Sequence, residues 1–288
     1  MKQNVITIII AAIVALAVTF LRPATTDSVV EESKETVAQR VERTGVLQCG
    51  YNTEPPMLSV EPNTGKVKGA TVDVIEHMAD LIGWKVDWTE QVGWSEMTAG
   101  LNADRFDLAC NGKWIFASQT RGAQFTMPIY FTATYAYGRF DENRFSDDLS
   151  ELNDSQHAIA TIDGEFNYYV AQTRFPKARR VELPATIDKA VAIENLITNK
   201  ADAMFLAAFE ADVYMTQNPG KLKKLSSQPI SVFDTAFMFK AGESEFAAML
   251  DGALRQLRGD GFIDDTLDKY DIDASATLRV STPYKMPE

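Results

Sequence analysis

The feature that most constrains the fold is an order of elements that occurs twice. VLQCGY (46–51) has the pattern of a strand, TVDVIEHMADLIG of a helix, WKVDW of a strand, SEMTAGL of a short helix and FDLAC of another strand. In the first helix Val72, Ile75, Met78, Ala79 and Ile82 share one face, Asp73 and Glu76 have the spacing of a capping box, and Gly83 suits the stop. A second stretch begins near Ala136. HAIATI is a strand ending at Asp163-Gly164, Glu165 to Thr173 a helix, and RRVEL a strand. TIDKAVAIENLITNK follows as a helix with Ala190, Ile193, Leu196 and Ile197 inward, and DAMFLA as a strand. FDTAFMFK adds a strand and SEFAAMLDGALRQLRG a helix ending at Gly259; the tail from Asp271 has no period and is left unassigned. A β-α-β-α-β order needs crossovers, so its strands lie parallel with helices packed on them. Two such runs predict an α/β protein of two lobes, each a mostly parallel sheet flanked by helices, with a cleft between the lobes.

In open α/β sheets ligands sit beyond the carboxyl ends of the strands. Gly50-Tyr51, Asn111-Gly112, Asp163-Gly164 and Leu206-Ala207 all stand at such ends. FDLACNGKWIFASQTR is expected to be a strand that breaks at Asn111-Gly112, followed by a polar loop with Trp114, Ser118, Thr120 and Arg121. A guanidinium fork at that place matches a carboxylate with two charge-assisted hydrogen bonds. The plainer alternative is a surface ion pair between Arg121 and an acid such as Asp107. Tyr51, Trp94 and Trp114, near strand ends, are either walls of a site or core residues.

A formal net charge of −12 leaves no basic stripe to neutralise phosphates and argues against nucleic acid. Cys49, Cys110, His77 and His157 share no metal-ligand spacing, so neither a metal nor another cofactor is expected. Val5 to Leu21 is an uncharged apolar run preceded by Lys2, and no good cleavage site follows it. It is expected to be a signal anchor rather than a cleaved signal peptide, with the folded part exported. Export permits a disulfide between Cys49 and Cys110. Because bridging directly adjacent strands demands unusual geometry, two small buried thiols are the favoured reading.

Taken in order, several motifs resemble the family 3 extracellular solute-binding proteins that serve importers of polar amino acids. VAQRVERTGVLQCGYNTEPPML looks like that family's opening helix, first strand and Pro-rich loop, and GKVKGATVDVIEHMADLIG like its helix entry. WSEMTAGLNADRFDLACNG, SQTRGAQFTMPIY, NKADAMFLA and LRGDGFIDDTLDKY are similar to its later segments, so the resemblance covers about Val37 to Tyr270. It implies a two-lobed periplasmic-binding-protein fold of type II, closing by a hinge around a small molecule. It places Arg121 as the clamp on a ligand carboxylate, with Ser118, Asn111 and Gly112 beside it. Backbone N–H groups of the turn at Glu165 and Phe166 are expected to meet the same ligand on closure.

One departure concerns the strand DAMFLA, which in amino-acid-binding members ends on an acid for the ligand's ammonium and here ends on Ala207. An unpaired buried ammonium costs about 3–5 kcal/mol. Glu54, before the Pro loop, and Glu210, one helical turn beyond Ala207, are the acids able to replace it. The expected organisation is 1–24 signal segment, 25–43 linker and helix start, 44–133 with 235–270 lobe one, 134–234 lobe two, and 271–288 tail. The expected function is capture of a small carboxylate solute, an amino acid or a similar compound, by an extracytoplasmic monomer that delivers it to an ABC importer permease. The alternatives are a cyclohexadienyl dehydratase on the same fold, with Glu165 or Glu54 as the acid, and a tethered sensor.

Overall fold

Among the described residues, eleven strands join into one mixed sheet. The computed structural model describes residues 35–117, 119–187, 189–270, 272–273 and 275–280. The apolar run Val5 to Leu21 and Ser118 therefore lie outside the described residues, and every element below belongs to the compact unit Thr36–Glu288. In chain order the strands are β1 Val46–Tyr51, β2 Ser59–Val60, β3 Val67–Lys68, β4 Lys85–Gln91, β5 Leu108–Trp114, β6 Ala123–Phe125, β7 Tyr130–Arg139, β8 Ala158–Ile162, β9 Arg179–Leu183, β10 Ala203–Ala207, β11 Leu222–Lys224, β12 Ser231–Lys240 and β13 Thr277–Leu278. The α-helices are α1 Val37–Thr44, α2 Ala70–Ile82, α3 Met97–Asn102, α4 Phe166–Arg174, α5 Lys189–Ile197, α6 Ala208–Gln217, α7 Ser244–Gly259 and α8 Phe262–Lys269.

The main path through the sheet is β4-β1-β5-β12-β7-β10-β8-β9, with β2 and β3 forming a separate pair. β4, β1 and β5 run parallel at one end, and β10, β8 and β9 at the other. Between them β12 and β7 cross as an antiparallel pair, from Ser231 opposite Thr134 to Thr235 opposite Tyr130. This is the predicted two-lobed α/β architecture, with the two crossover strands knitting both lobes into one ladder. The largest buried cluster is continuous from Val41 and Leu47 through Tyr130 to Leu206 and Leu257.

Four local expectations are corrected. Asp73 and Glu76 do not form a capping box, because α2 already starts at Ala70, behind Gly69. Gly69 takes φ 145°, and a Cβ there would lie 2.2 Å from the Met57 carbonyl oxygen, so this close crossing of two segments sets the helix start. Asp73 instead pairs with Lys269, and Glu76 accepts from the Trp88 indole N–H. Second, β5 does not break at Asn111-Gly112 but runs on through Lys113 and Trp114, whose partners Ala236 and Thr235 lie on β12. Third, Cys49 and Cys110 are joined in a disulfide with their Cα atoms 5.5 Å apart. In the parallel register Cys49 stands opposite Leu108, so Cys110 is its diagonal neighbour on the same face, which relieves the geometric objection to bridging adjacent strands. Finally, Ala190, expected to face inward on α5, is exposed, while Ile193 and Leu196 of that helix are buried; in the unassigned tail Thr277 pairs with Thr132 of the crossover strand.

Phe106 fixes how lobe one packs, because its buried ring lies where Cβ atoms on Gly50 and Gly100 would come within 2.5 Å. Gly100→Ala is accordingly expected to cost about 1–3 kcal/mol through overpacking. Denaturant unfolding checks this, and wild-type stability in the variant would show that the ring yields freely. Asp107 is occupied structurally: it pairs with Arg40 and accepts the Gln48 N–H at 2.7 Å. Beyond β7, Glu142 has 1% of its side chain exposed and holds Arg139 at 3.3 Å and Arg144, which also reaches Asp202 at 2.5 Å.

Candidate functional site

The carboxyl ends of β1, β5, β8, β9 and β10 bring one charged group together from both lobes. Glu54 follows β1, Lys113 lies in the extension of β5, Glu165 precedes α4, Lys189 opens α5 after β9, and Glu210 is in the first turn of α6. Lys189 Nζ donates to Glu210 Oε1 and lies 4.0 Å from Glu165 Oε2. The other Glu210 oxygen accepts the Ala207 N–H at 3.3 Å, and Glu165 accepts from the Asn167 amide at 3.3 Å. Lys113 Nζ sits 4.5 Å from the centre of the Trp94 ring, a cation–π contact.

Asn111 explains why Glu54 is held where it is. Its buried amide donates to the Asn52 carbonyl at 2.9 Å and accepts the Asn52 N–H at 2.7 Å, tying the chain after β1 to β5. Glu54 itself forms a backbone bridge with Leu58. Charge and burial act on each group. Burial above all, then the charge of Glu210, push the Glu54 carboxyl up to about 8, although Lys189, Lys113 and the Asn111 amide pull the other way. Burial and then Lys189 bring the Lys113 ammonium down to about 8, against the attraction of Glu54 and Glu165. Burial opposes the charge on Lys189 too, yet Glu210 and Glu165 outweigh it and keep this ammonium above its ordinary value. Burial likewise raises Glu165, with Lys189 opposing. Three carboxyl groups thus act on two ammonium groups, and a small guest with charges of both signs has partners for each.

An aromatic cluster stands beside these charges. Trp114 of β5 packs edge-on against Phe166 of α4 at 4.6 Å and stacks on Phe233 of β12 at 5.0 Å. It joins β5, α4 and β12 in one contact.

The sequence-predicted residues divide accordingly. Glu54 and Glu165 belong to the charged group, Trp94 carries Lys113 on its face, and Asn111 supports Glu54 from behind. Trp114 and Phe166 meet each other. Tyr51 packs edge-on against Trp88 at 5.7 Å. At Gly112 the close approach is by the protein itself, since a Cβ would lie 2.5 Å from Thr235 Cγ2 and 2.9 Å from the Tyr130 hydroxyl. Arg121 ends the single 3-10 turn Gln119–Arg121, is exposed, and has no ion pair or hydrogen bond among the described residues. Neither is it among the charges that act on Glu54, Glu165, Lys113 or Lys189. Lys113 and Lys189 were missed as candidates. A lysine beside Trp114 in an otherwise apolar strand was a usable signal for the first; Lys189 looks like any polar helix start.

The sequence description of the bacterial extracellular solute-binding proteins, family 3, matches residues 47–272. A Haemophilus influenzae protein named as an amino-acid ABC transporter-binding protein is 26% identical over 227 residues, which are 78% of this chain and 84% of that one. The cyclohexadienyl dehydratase of Pseudomonas aeruginosa is 22% identical over 213 residues, 74% of this chain and 78% of the enzyme. Among solved structures, one described as the binding component of an ABC transporter from Wolinella succinogenes complexed with lysine superposes with a TM-score of 0.68 at 22% identity. It covers 80% of this chain and 97% of its own.

Proposed function

The chain belongs to the bacterial extracellular solute-binding proteins, family 3, and from that membership we propose that it captures a small carboxylate-bearing solute, an amino acid or a close analogue, and passes it to an ABC importer. The observation that carries this reading is the charged group at the interlobe strand ends, where Lys113 and Lys189 face Glu54, Glu165 and Glu210. Lys113 takes the solute carboxylate, because it is half-buried and its ammonium has an aromatic face, not an ion pair, as its close partner among the described residues. That role moves inward from Arg121, which is exposed. Trp114 and Phe166, in contact beside this charged group, form the apolar wall against which the solute packs. The protein works outside the cytoplasm as a monomer, held at the membrane by Val5 to Leu21, and performs no reaction on its guest.

A thermal-shift screen over amino acids, opines, keto acids and small dicarboxylates tests this, since a solute that binds only the folded state raises the melting point. At least one carboxylate is expected to do so. Lys113→Met should then weaken it by roughly 10- to 100-fold, the loss of one or two charge-assisted hydrogen bonds, while Arg121→Ala changes calorimetric affinity little. If no compound shifts the melting point, the solute reading fails. If Arg121→Ala abolishes binding and Lys113→Met does not, the carboxylate belongs to Arg121.

A second reading, an enzyme on the same fold, is favoured by the dehydratase relative and by a carboxyl at Glu54 that keeps its proton near neutral pH. Incubation with prephenate or arogenate decides it, because formation of the aromatic product would replace transport by catalysis.

A further inference from the structure

We propose that Glu54 holds a proton in the unliganded protein and yields it when the amino group of a captured solute takes its place, so that capture releases a proton. This rests on the solute-binding reading above and adds to it the acid that meets the amino group.

The argument starts from the pairing of the three acids. Glu210 is already engaged on both oxygens, by Lys189 Nζ and by the Ala207 N–H. Glu165 has the Asn167 amide and lies 4.0 Å from Lys189. Glu54 has no ion pair among the described residues. The lysine nearest to it in the chain order of strand ends, Lys113, is drawn onto the face of Trp94 instead. The groups acting on Glu54 come from three elements: Asn111 and Lys113 on β5, Lys189 on α5 and Glu210 on α6; Glu54 in turn raises the Tyr130 hydroxyl on β7. Glu165 bears on it through Lys113. In this setting an ionised Glu54 would be opposed by the charge of Glu210, while Lys189 and Lys113 act on it without either forming an ion pair with it. Burial and the charge of Glu210 both favour the protonated form, in keeping with the upward displacement to about 8. A primary ammonium entering between the lobes reverses the balance. The carboxylic acid gives its proton to solvent, and the carboxylate pairs with the guest cation, leaving the charge of the site unchanged. The missing acid at Ala207 is thereby replaced from the opposite lobe, and Glu210 is not available for the task.

The sign of the pH dependence follows. Below about pH 8 the carboxyl is mostly protonated in the unliganded protein, so capture must expel a proton, and affinity should fall about tenfold for each pH unit lowered. Above that value the gain levels off, and loss of the Lys113 charge, also near 8, begins to weaken the carboxylate end.

The test is calorimetry on the whole protein at pH 6.5 in two buffers of different ionisation enthalpy. The probes are the twenty common L-amino acids with L-cystine, each compared with its 2-hydroxy acid counterpart where one exists. An amino acid that binds is expected to release about one proton, and its affinity to rise roughly tenfold per unit from pH 5.5 to 7.5. The hydroxy acid should bind without proton release, and Glu54→Gln should bind the amino acid with neither proton release nor pH slope. Capture of an amino acid by wild-type protein without proton release overturns the proposal, as does release that persists in Glu54→Gln. If Glu54→Gln does not fold, the wild-type comparison of amino and hydroxy acid decides alone. Binding of ammonium-free acids only sinks this proposal and leaves the solute-binding reading standing; binding of neither set sinks both.

Discussion

Replacing both Cys49 and Cys110 by Ala is expected to lower folding stability by about 4 kcal/mol. The bridge closes a loop with a sequence separation of 61 residues, and the chain entropy it removes from the unfolded state has about that value for a loop of this length. In a chain of this size the melting point should drop by roughly 10 °C. Function should suffer with it, because the bridge lies immediately before Asn111 on β5 and close to Asn52 after β1, the pair that holds Glu54 in place. Thermal unfolding of wild-type protein with and without reductant gives the same comparison without mutation. A melting point indifferent to reductant would mean that the two thiols are not joined.

The second large effect belongs to Glu142. Its carboxylate is buried among Arg139 and Arg144, and hydrogen bonds from Arg144 hold it down at about 2, against the opposing effect of burial. The unfolded chain titrates at an ordinary value near 4.5. Stability from this group is therefore complete above about pH 4.5 and is lost as the pH falls towards 2, in all about 3 kcal/mol at 1.36 kcal/mol per unit. Glu142→Gln should remove part of this at neutral pH, since Arg144 keeps Asp202 and Arg139 keeps Asp141, and should flatten the acid limb of the stability curve. Urea unfolding at pH 3, 4, 5 and 7 measures both. Equal slopes for variant and wild type would show that the acid limb has another source. Glu54 has the opposite sign. Between about pH 4.5 and 8 the folded protein keeps a proton that the unfolded chain has lost, so its contribution diminishes as pH rises.

The architecture was legible because periodicity and element order are local properties. The strands VLQCGY, HAIATI and DAMFLA and the helices between them depend on near neighbours, and they stand where the patterns put them. The site was only half legible, for reasons of distance along the chain. β5 continues past Asn111-Gly112 because β12, more than a hundred residues later, pairs with Lys113 and Trp114; without that partner an Asn-Gly pair is an ordinary break. Once the strand runs on, Lys113 ceases to be a loop residue and becomes part of the cleft. The capping-box reading at Asp73 failed for a similar reason, since the Met57 carbonyl that helps to place the helix start comes from another segment. The disulfide was missed because register, not adjacency, decides which residues of neighbouring strands can be bridged. Glu54 was singled out as an acid in an unusual place, but the groups that act on it, Lys189 and Glu210, come from two helices far along the chain.

The crossing of β7 and β12 bears on how such a molecule gives up its guest. Five successive residues of each strand are matched, and the hydroxyls of Thr132 and Thr235 meet at 2.7 Å across them. Thr277 and Leu278 fasten onto the same stretch. Two halves sewn along such a seam cannot slide past each other without breaking its rungs, so any parting of the halves has to wring this ribbon.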